Sequence, residues 1–436
     1  MGQVRTTRRF SPAEDTTRPP ATERPSSFAA LRHRDFRLMW LGQFVSITGS
    51  QMQLVTINWH VYLLTHSAAA LGLVGLVRVV PIVACSLVGG VVADAVDRKR
   101  LLVVTQTTML LSAAALALVT ALGLEHVWPI YALTALSSAA TAFDNPARQA
   151  LLPSLVPEEV FPNAVSLGFV AFQVAMVTGP VVGGFVLARF GPATVYAANA
   201  VSFLAVIAAV LLIRASGKGK DKEASRVSLD ALKEGLKFVL ATPIMVQTMT
   251  LDFVATFFAS ATALLPIFAR DILRVGEYGY GFLAGASAFG AVVTGLMLAR
   301  RPGWGRPGLT ILLSVAVYGA ATVFFGLSHN YWLSLLMLAL SGAADTVSTV
   351  IRQTVRQLIT PDRLRGRMTS VNMIFFMGGP QLGELEAGLV AAAAGAPFSV
   401  VLGGVGCLVA VAFTWARAKE LLRYKFSSRG DSAAQA

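Results

Sequence analysis

Four ionisable side chains interrupt long apolar runs: Arg78 in 70–92, Asp252 in 243–269, and Glu384 and Glu386 in 367–392. A charge held at bilayer depth costs several kcal/mol, so such groups line cavities, pair with one another or handle protons. A carboxyl there can bind a proton on one side of a membrane and release it on the other, as burial and neighbouring cations alternately favour its two forms. One charge moving through ~100 mV gains roughly 2.3 kcal/mol, enough for about a 40-fold gradient. Glu384 and Glu386 lie about 200° apart around a helix and cannot face one cavity. Glu384 is therefore the candidate coupling group, with Arg78 as its charge partner or as a contact for a substrate anion. Asp252 fits a structural salt bridge near a helix end equally well.

Two further acid–base sets, Asp144 with Arg148 and Asp345 with Arg352, sit where apolar runs end. They suit inter-helix charge pairs that hold one closed state, or solvated helix ends. The amides Gln43, Gln51, Asn58, Gln173, Asn199 and Asn372 are cavity candidates, although amides inside spans also serve as inter-helix hydrogen bonds. His33, His60, His66, His126 and His329 lack metal-ligand spacing, so no metal is expected. No nucleophile, base and orienting acid can be assembled, and no phosphate-cradling G-x-x-x-x-G-K-(S/T) loop is present. The chain is expected to be neither an enzyme nor an ATP-driven pump, and to need no cofactor. Cys85 and Cys407 fall inside apolar runs as small hydrophobes, implying no disulfide framework.

These residues need elements to hold them, and the composition names the kind. Of 436 residues, 55% are hydrophobic and 14% charged. Apolar runs at about 36–64, 70–92, 101–122, 127–144, 164–190, 192–213, 243–269, 279–300, 308–327, 331–351, 367–392 and 397–417 can each cross a ~30 Å hydrocarbon layer. The expectation is an all-helical membrane protein of twelve crossings. With both termini cytoplasmic, all 36 Lys and Arg fall on the inner side except Arg189, Arg270 and Arg274 outside and Arg78 within a span. That is the positive-inside pattern. The net charge of +13 thus reports topology rather than a nucleic-acid partner.

Residues 1–35 read as a disordered cytoplasmic tail, without the apolar core and cleavage site of a signal peptide. Two units of six spans, 36–213 and 243–417, flank a linker at 214–242, and a second cytoplasmic tail occupies 418–436. Within the linker, Leu229, Leu232, Leu236 and Val239 recur at helical spacing opposite Lys233, Glu234 and Lys237, predicting an amphipathic interfacial helix. The units repeat each other: RQALLPSLVPEEVFPNAVS from Arg148 aligns with RQTVRQLITPDRLRGRMTS from Arg352, and GPVVG from Gly179 with GPQLG from Gly379. Such repeats point to a secondary transporter of two pseudo-symmetric bundles around a midplane cavity.

Between spans two and three, Gly90-x-x-x-Asp94-x-x-x-Arg98-Lys99 resembles the signature turn of the major facilitator superfamily. It departs at Ala95, where a base is usual, and at Asp97, where glycine is usual. The resemblance implies that Asp94 latches the cytoplasmic side against the start of span eleven and favours the outward-open state. Arg98 would be its charge partner, with Lys99 and Arg100 as topology anchors. The corresponding turn of the second half, from Gly295, has no acid, so any latch is asymmetric. In span five, Gly179-Pro180-Val-Val-Gly183-Gly184 resembles the superfamily's antiporter motif, with Ala175 replacing its first glycine. Small residues there permit close helix approach, and the proline bends the span. LRHRDFRLMWLGQFVS, AFDNPARQALLPSLVP and LGELEAGLVA resemble the enterobactin-exporter-like and macrolide-efflux-like branch.

The fold implied is the major facilitator fold. The function implied is export of a small amphipathic molecule, a siderophore or a drug such as a macrolide, across the inner membrane by proton antiport. The expected partners are substrate, protons and the bilayer, with no nucleic acid, and a monomer is expected because each half supplies its own partner. A lipid flippase or a proton-coupled uptake transporter of the same fold is the alternative.

Overall fold

The computed structural model describes residues 28–124, 126–217, 237–258, 261–300, 306–361, 365–417 and 422; for 86–91, 93–95, 261 and 365–378 it describes backbone alone. Much of the linker, Leu229, Leu232 and Leu236 included, lies outside the described residues, as do both tails. Every regular element among the described residues is helical. The N-terminal helices are α1 (Arg34–Thr65), α2 (Ala68–Ala95), α3 (Arg98–Ala121), α4 (Val127–Leu151) and α5 (Phe161–Leu212). After the linker come α6 (Pro243–Phe258), α7 (Gly276–Leu298), α8 (Pro307–Leu327), α9 (Tyr331–Ile359), α10 (Arg365–Ala394) and α11 (Ala396–Arg417).

Among the described residues, eight helical segments are long and apolar enough to cross a membrane. One of them, Glu158–Leu212, counts once although its α5 is about 78 Å long at 1.5 Å per residue. α5 breaks at Gly191, whose φ of 77° and ψ of 174° no helix contains, and Pro192 then starts the second arm. Helical geometry runs through Pro180 without such a break. α10 is absent from the eight, as are α1 and α4, which the sequence reading likewise counts as spans. Their inward-facing polar residues, such as Gln53 and His60 on α1 and Asp144 on α4, lower the mean hydropathy of helices that are nonetheless long enough. The run 243–269 is not one straight helix. α6 ends at Phe258, and a 3-10 turn and a π-helical turn, Phe268–Ile272, complete the passage.

Local chemistry sets several ends. Ser67 caps α2 through the Ala70 N–H (3.3 Å), and Asn330 caps α9 through Leu333 (3.1 Å). Asp97 caps α3, accepting from the N–H groups of Lys99 (2.9 Å) and Arg100 (3.1 Å). This gives the departure from glycine at that position a physical reason.

α1 and α3 lie along α5, α2 and α3 along α4, and among the later helices α7 meets α9, α8 meets α9 and α11, and α10 meets α6 and α11. The two groups touch along two seams, α2 on α10 and α5 on α7. At the end of the molecule where α1 begins, here the proximal end, each group has its own core. Phe36, Leu102, Leu151 and Val206 fill one, and Met245, Ile311, Ile351 and Val411 the other. Toward the opposite, distal end a single core joins both groups, with Met52, Trp59 and Leu187 against Phe268, Tyr280 and Ala387. Among the described residues, the groups thus share one core distally and have separate cores proximally.

Candidate functional site

Both seams are glycine contacts. A Cβ on Gly388 would stand 2.7 Å from the Gly72 Cα, and one on Gly184 would stand 2.7 Å from the Gly281 Cα. Gly179 and Gly183 instead seat α1, since a Cβ there would meet the Gln51 Cβ at 2.4 Å and the Met52 Cα at 2.9 Å. Pro180 presents its carbonyl to Gly281, where a Cβ would come within 2.7 Å. The small residues of the span-five motif therefore divide their work, two glycines on α1 and one, with the proline, on the seam.

The α2–α10 seam brings Glu384 onto the face of α2 that carries Gly75 and Arg78, three residues apart and so on one side of the helix. A Cβ on Gly75 would come within 2.7 Å of the Glu384 Oε2, so only glycine leaves room for the carboxylate. Arg78 is the cation that acts on that carboxylate. Glu384 in turn acts electrostatically on Tyr280 of α7. The Tyr280 hydroxyl donates to the Val55 carbonyl (3.0 Å), shares a side-chain hydrogen bond with Asn58 and stacks its ring on Trp59 at 5.1 Å. Residues from α1, α2, α7 and α10 thus converge where the two groups meet. Two buried polar atoms beside them, Gln381 Oε1 and Trp59 Nε1, have no hydrogen-bond partner among the described residues. A buried polar atom left unpaired costs about 1–3 kcal/mol, which a bound molecule can recover. Glu386 is half-buried on the other side of α10 and takes no part.

Distal to this cluster the Tyr62 hydroxyl donates to the Asp271 carboxylate, bridging α1 and the π-helical turn after α6. That bridge closes the distal end across the two groups. Neither Tyr62, Asp271, Tyr280 nor Gln381 stands out in the sequence. The aromatics read as ordinary interior residues, and Asp271 reads as a loop acid beside Arg270 and Arg274.

The proximal charge sets lie within single groups. Asp144, fully buried, is held by the Thr105 hydroxyl (2.9 Å) and the Gln106 amide (2.8 Å) of α3 and by Arg148. Asp144 and Arg148 pair along one helix rather than between helices, because residues four apart share a face. Arg352 departs from the expectation differently. Its close carboxylate is Asp252 of α6 at 2.6 Å, while Asp345 on its own helix is 3.8 Å away and 46% exposed. Arg352 also donates to Ser348 (2.9 Å), which occupies the position equivalent to Asp144 in the repeat. The same geometry recurs with the acid moved to a neighbouring helix.

At the signature turn only the backbone of Gly90 and Asp94 is described, and the side chain of Asn372 likewise lies outside the described residues. Arg98 donates to the Ala150 carbonyl at the end of α4 (3.0 Å), and Lys99 to the Ile213 carbonyl just past α5 (2.6 Å). Cations there satisfy orphan carbonyls and the negative end of each helix. Asp35, at the start of α1, accepts from the N–H groups of Arg214 (3.0 Å) and Ala215 (2.9 Å). Of the amides, Asn199 is buried and donates to Gln53 (2.7 Å), an inter-helix bond rather than a cavity contact. Gln51 lies against Gly179. Gln43 and Gln173 are half-buried.

Comparison with known proteins gives this arrangement relatives. The profile of a family described as Transmembrane secretion effector matches residues 25–424. Enterobactin exporter EntS of Shigella boydii serotype 18 is 28% identical over 381 residues, covering 86% of this chain and 91% of its own. The Enterobactin exporter EntS of Escherichia coli O81 aligns with the same identity and coverage. Among solved structures, a bacterial homologue of the human lysosomal transporter Spinster, inward-facing and unoccupied, superposes with a TM-score of 0.70 at 14% identity, covering 91% of this chain and 99% of that one. A POT family transporter in complex with a thioalcohol-conjugated peptide superposes with a TM-score of 0.70 at 11% identity, covering 89% and 97%.

Proposed function

Because the chain belongs to the Transmembrane secretion effector family of the major facilitator superfamily, and is a multi-pass membrane transporter, we propose that it exports a small amphipathic molecule by proton antiport. In this reading twelve crossings form two six-helix halves that rock about a central cavity, both termini are cytoplasmic, and the proximal end faces the cytoplasm of an inner membrane. The observation that supports the coupling is the seating of Glu384 of α10 against Gly75 of α2, one helical turn from Arg78, where the two groups meet.

In this reading the shape is inward-open: the glycine seams and the Tyr62–Asp271 bridge seal the outer end, while the proximal cores of the described residues are separate. Substrate enters from the cytoplasm and uses the free polar atoms of Gln381 and Trp59, with the aromatic faces of Trp59 and Tyr280 taking its apolar part. In this reading Arg78 and Glu384 interact across the α2–α10 seam while it is closed. When the halves rock and that seam opens, an external proton neutralises Glu384, weakens its hold on Arg78 and allows substrate to leave. Return to the inward-open state delivers the proton to the cytoplasm. At the inner side Asp94 with Arg98 would latch the alternate closed state, and the pairs of Asp144 with Arg148 and of Asp345 and Asp252 with Arg352 keep each half rigid while it moves.

The similarity to enterobactin exporters favours a catecholate siderophore as substrate, with macrolides next. The test is efflux from cells lacking their own exporters, followed by mass spectrometry for both classes with and without an uncoupler. Uncoupler-sensitive loss of either class is the expected result. Absence of export for both, with the protein correctly inserted, would remove this reading in favour of lipid movement or uptake.

A further inference from the structure

We propose that the groove between the start of α3 and the end of α5 is a binding site for an anionic phospholipid. It is a cavity of about 710 Å³ that opens at the proximal helix ends. Lys99, Arg100 and Arg214 stand around it, and the aliphatic side chains of Val103, Val104 and Leu211 line it.

The cations are built in. Lys99 is tied to the Ile213 carbonyl at 2.6 Å, which fixes its ammonium between the two helices. Arg100 and Arg214 are exposed on opposite walls. The one acid lining the groove, Asp97, has its carboxylate turned to the first-turn N–H groups of α3, and the neighbouring Asp35 is engaged by the N–H groups of Arg214 and Ala215. The floor is rigid as well: the Arg98 N–H donates to the Gly217 carbonyl (3.1 Å), and a Cβ on Gly217 would stand 2.4 Å from the Asp97 carboxylate. Immediately alongside, Val104 is 61% and Leu211 68% exposed, as side chains in contact with acyl chains are. A soluble anion would need the cations alone. Fixed cations above exposed aliphatic walls, at the depth where helices leave the bilayer, complement a ligand with a phosphate head and hydrocarbon tails. A lipid seated there would brace the junction from which the linker leaves the first half.

The test uses the full-length protein in detergent, titrated with dioleoylphosphatidylglycerol or dioleoylphosphatidylcholine and read by native mass spectrometry. The phosphatidylglycerol is expected to bind preferentially, and Arg100→Gln with Arg214→Gln to weaken it at least fivefold while leaving phosphatidylcholine unchanged. Arg100→Lys with Arg214→Lys keeps the charge and is expected to keep binding, so a loss caused by misfolding is distinguished by that variant and by thermal unfolding. Unchanged phosphatidylglycerol binding in the glutamine variant would overturn the site. So would a wild-type protein without preference, as when residues 218–236 fill the groove. Competition by the deacylated headgroup, glycerophosphoglycerol, at concentrations equal to those of the lipid would make this a phosphate site and overturn the lipid assignment.

Discussion

At the scale of single residues, the decisive contrast is between acids that hold the fold and the acid proposed to carry the proton. Asp144 has three partners and no exposure. Removing one member of such a buried set costs on the order of 3–5 kcal/mol, because the remaining charge stays buried without compensation. Asp144→Ala is therefore expected to lower the thermal midpoint by several degrees in purified protein. Asp345→Asn should shift it little, since that carboxylate is 46% exposed and 3.8 Å from its base, and exposed pairs contribute about 0–1 kcal/mol. Glu384 belongs to the other kind. It sits where the two helix groups meet, against Gly75. Gly75→Ala is expected to reduce transport at least tenfold with the protein still folded; full activity in this variant would show that the carboxylate does not need its present seat.

At the scale of elements, the glycine seams set how closely the halves approach. Gly388→Val would place side-chain carbons against Gly72, and contacts below about 3 Å force helices apart. The expected outcome is loss of the distal seal, seen as increased labelling, by a membrane-impermeant reagent, of a cysteine introduced at Ala391 in the buried distal core. Gly184→Val should do the same from the α5–α7 seam. Unchanged labelling in both variants would mean the seams do not gate. Capping belongs to this scale too. Asp97→Ala removes a side chain bonded to two N–H groups of α3, worth about 1 kcal/mol. It should destabilise the first half modestly while sparing transport.

At the scale of the whole molecule, much of the design is legible in the sequence, and the limits have physical causes. Apolar runs separated by charge mark where helices lie, and Gly191-Pro192 marks the break in α5, because these signals are local. Charges within apolar runs single out Arg78 and Glu384 for the same reason. Partnership is not local. Asp252 and Arg352 are a hundred residues apart, so spacing cannot pair them, whereas Asp144 and Arg148 are four apart and pair along one helix instead of bridging two. Tyr280, Gln381 and the Tyr62–Asp271 bridge become visible only when α1, α2, α7 and α10 are brought together. Conversely, α1 and α4 are less apolar than a membrane span usually is because their polar residues serve the interior.

The most direct test of proton coupling through Glu384 is proton movement in proteoliposomes that trap a pH-sensitive dye, with an exported siderophore or macrolide added to one side. Wild-type protein should carry protons against the substrate gradient. Glu384→Gln should abolish that signal while still exchanging labelled for unlabelled substrate, because a neutral side chain can bind and rock but has no proton to move. Proton flux at the wild-type rate in Glu384→Gln would contradict the account.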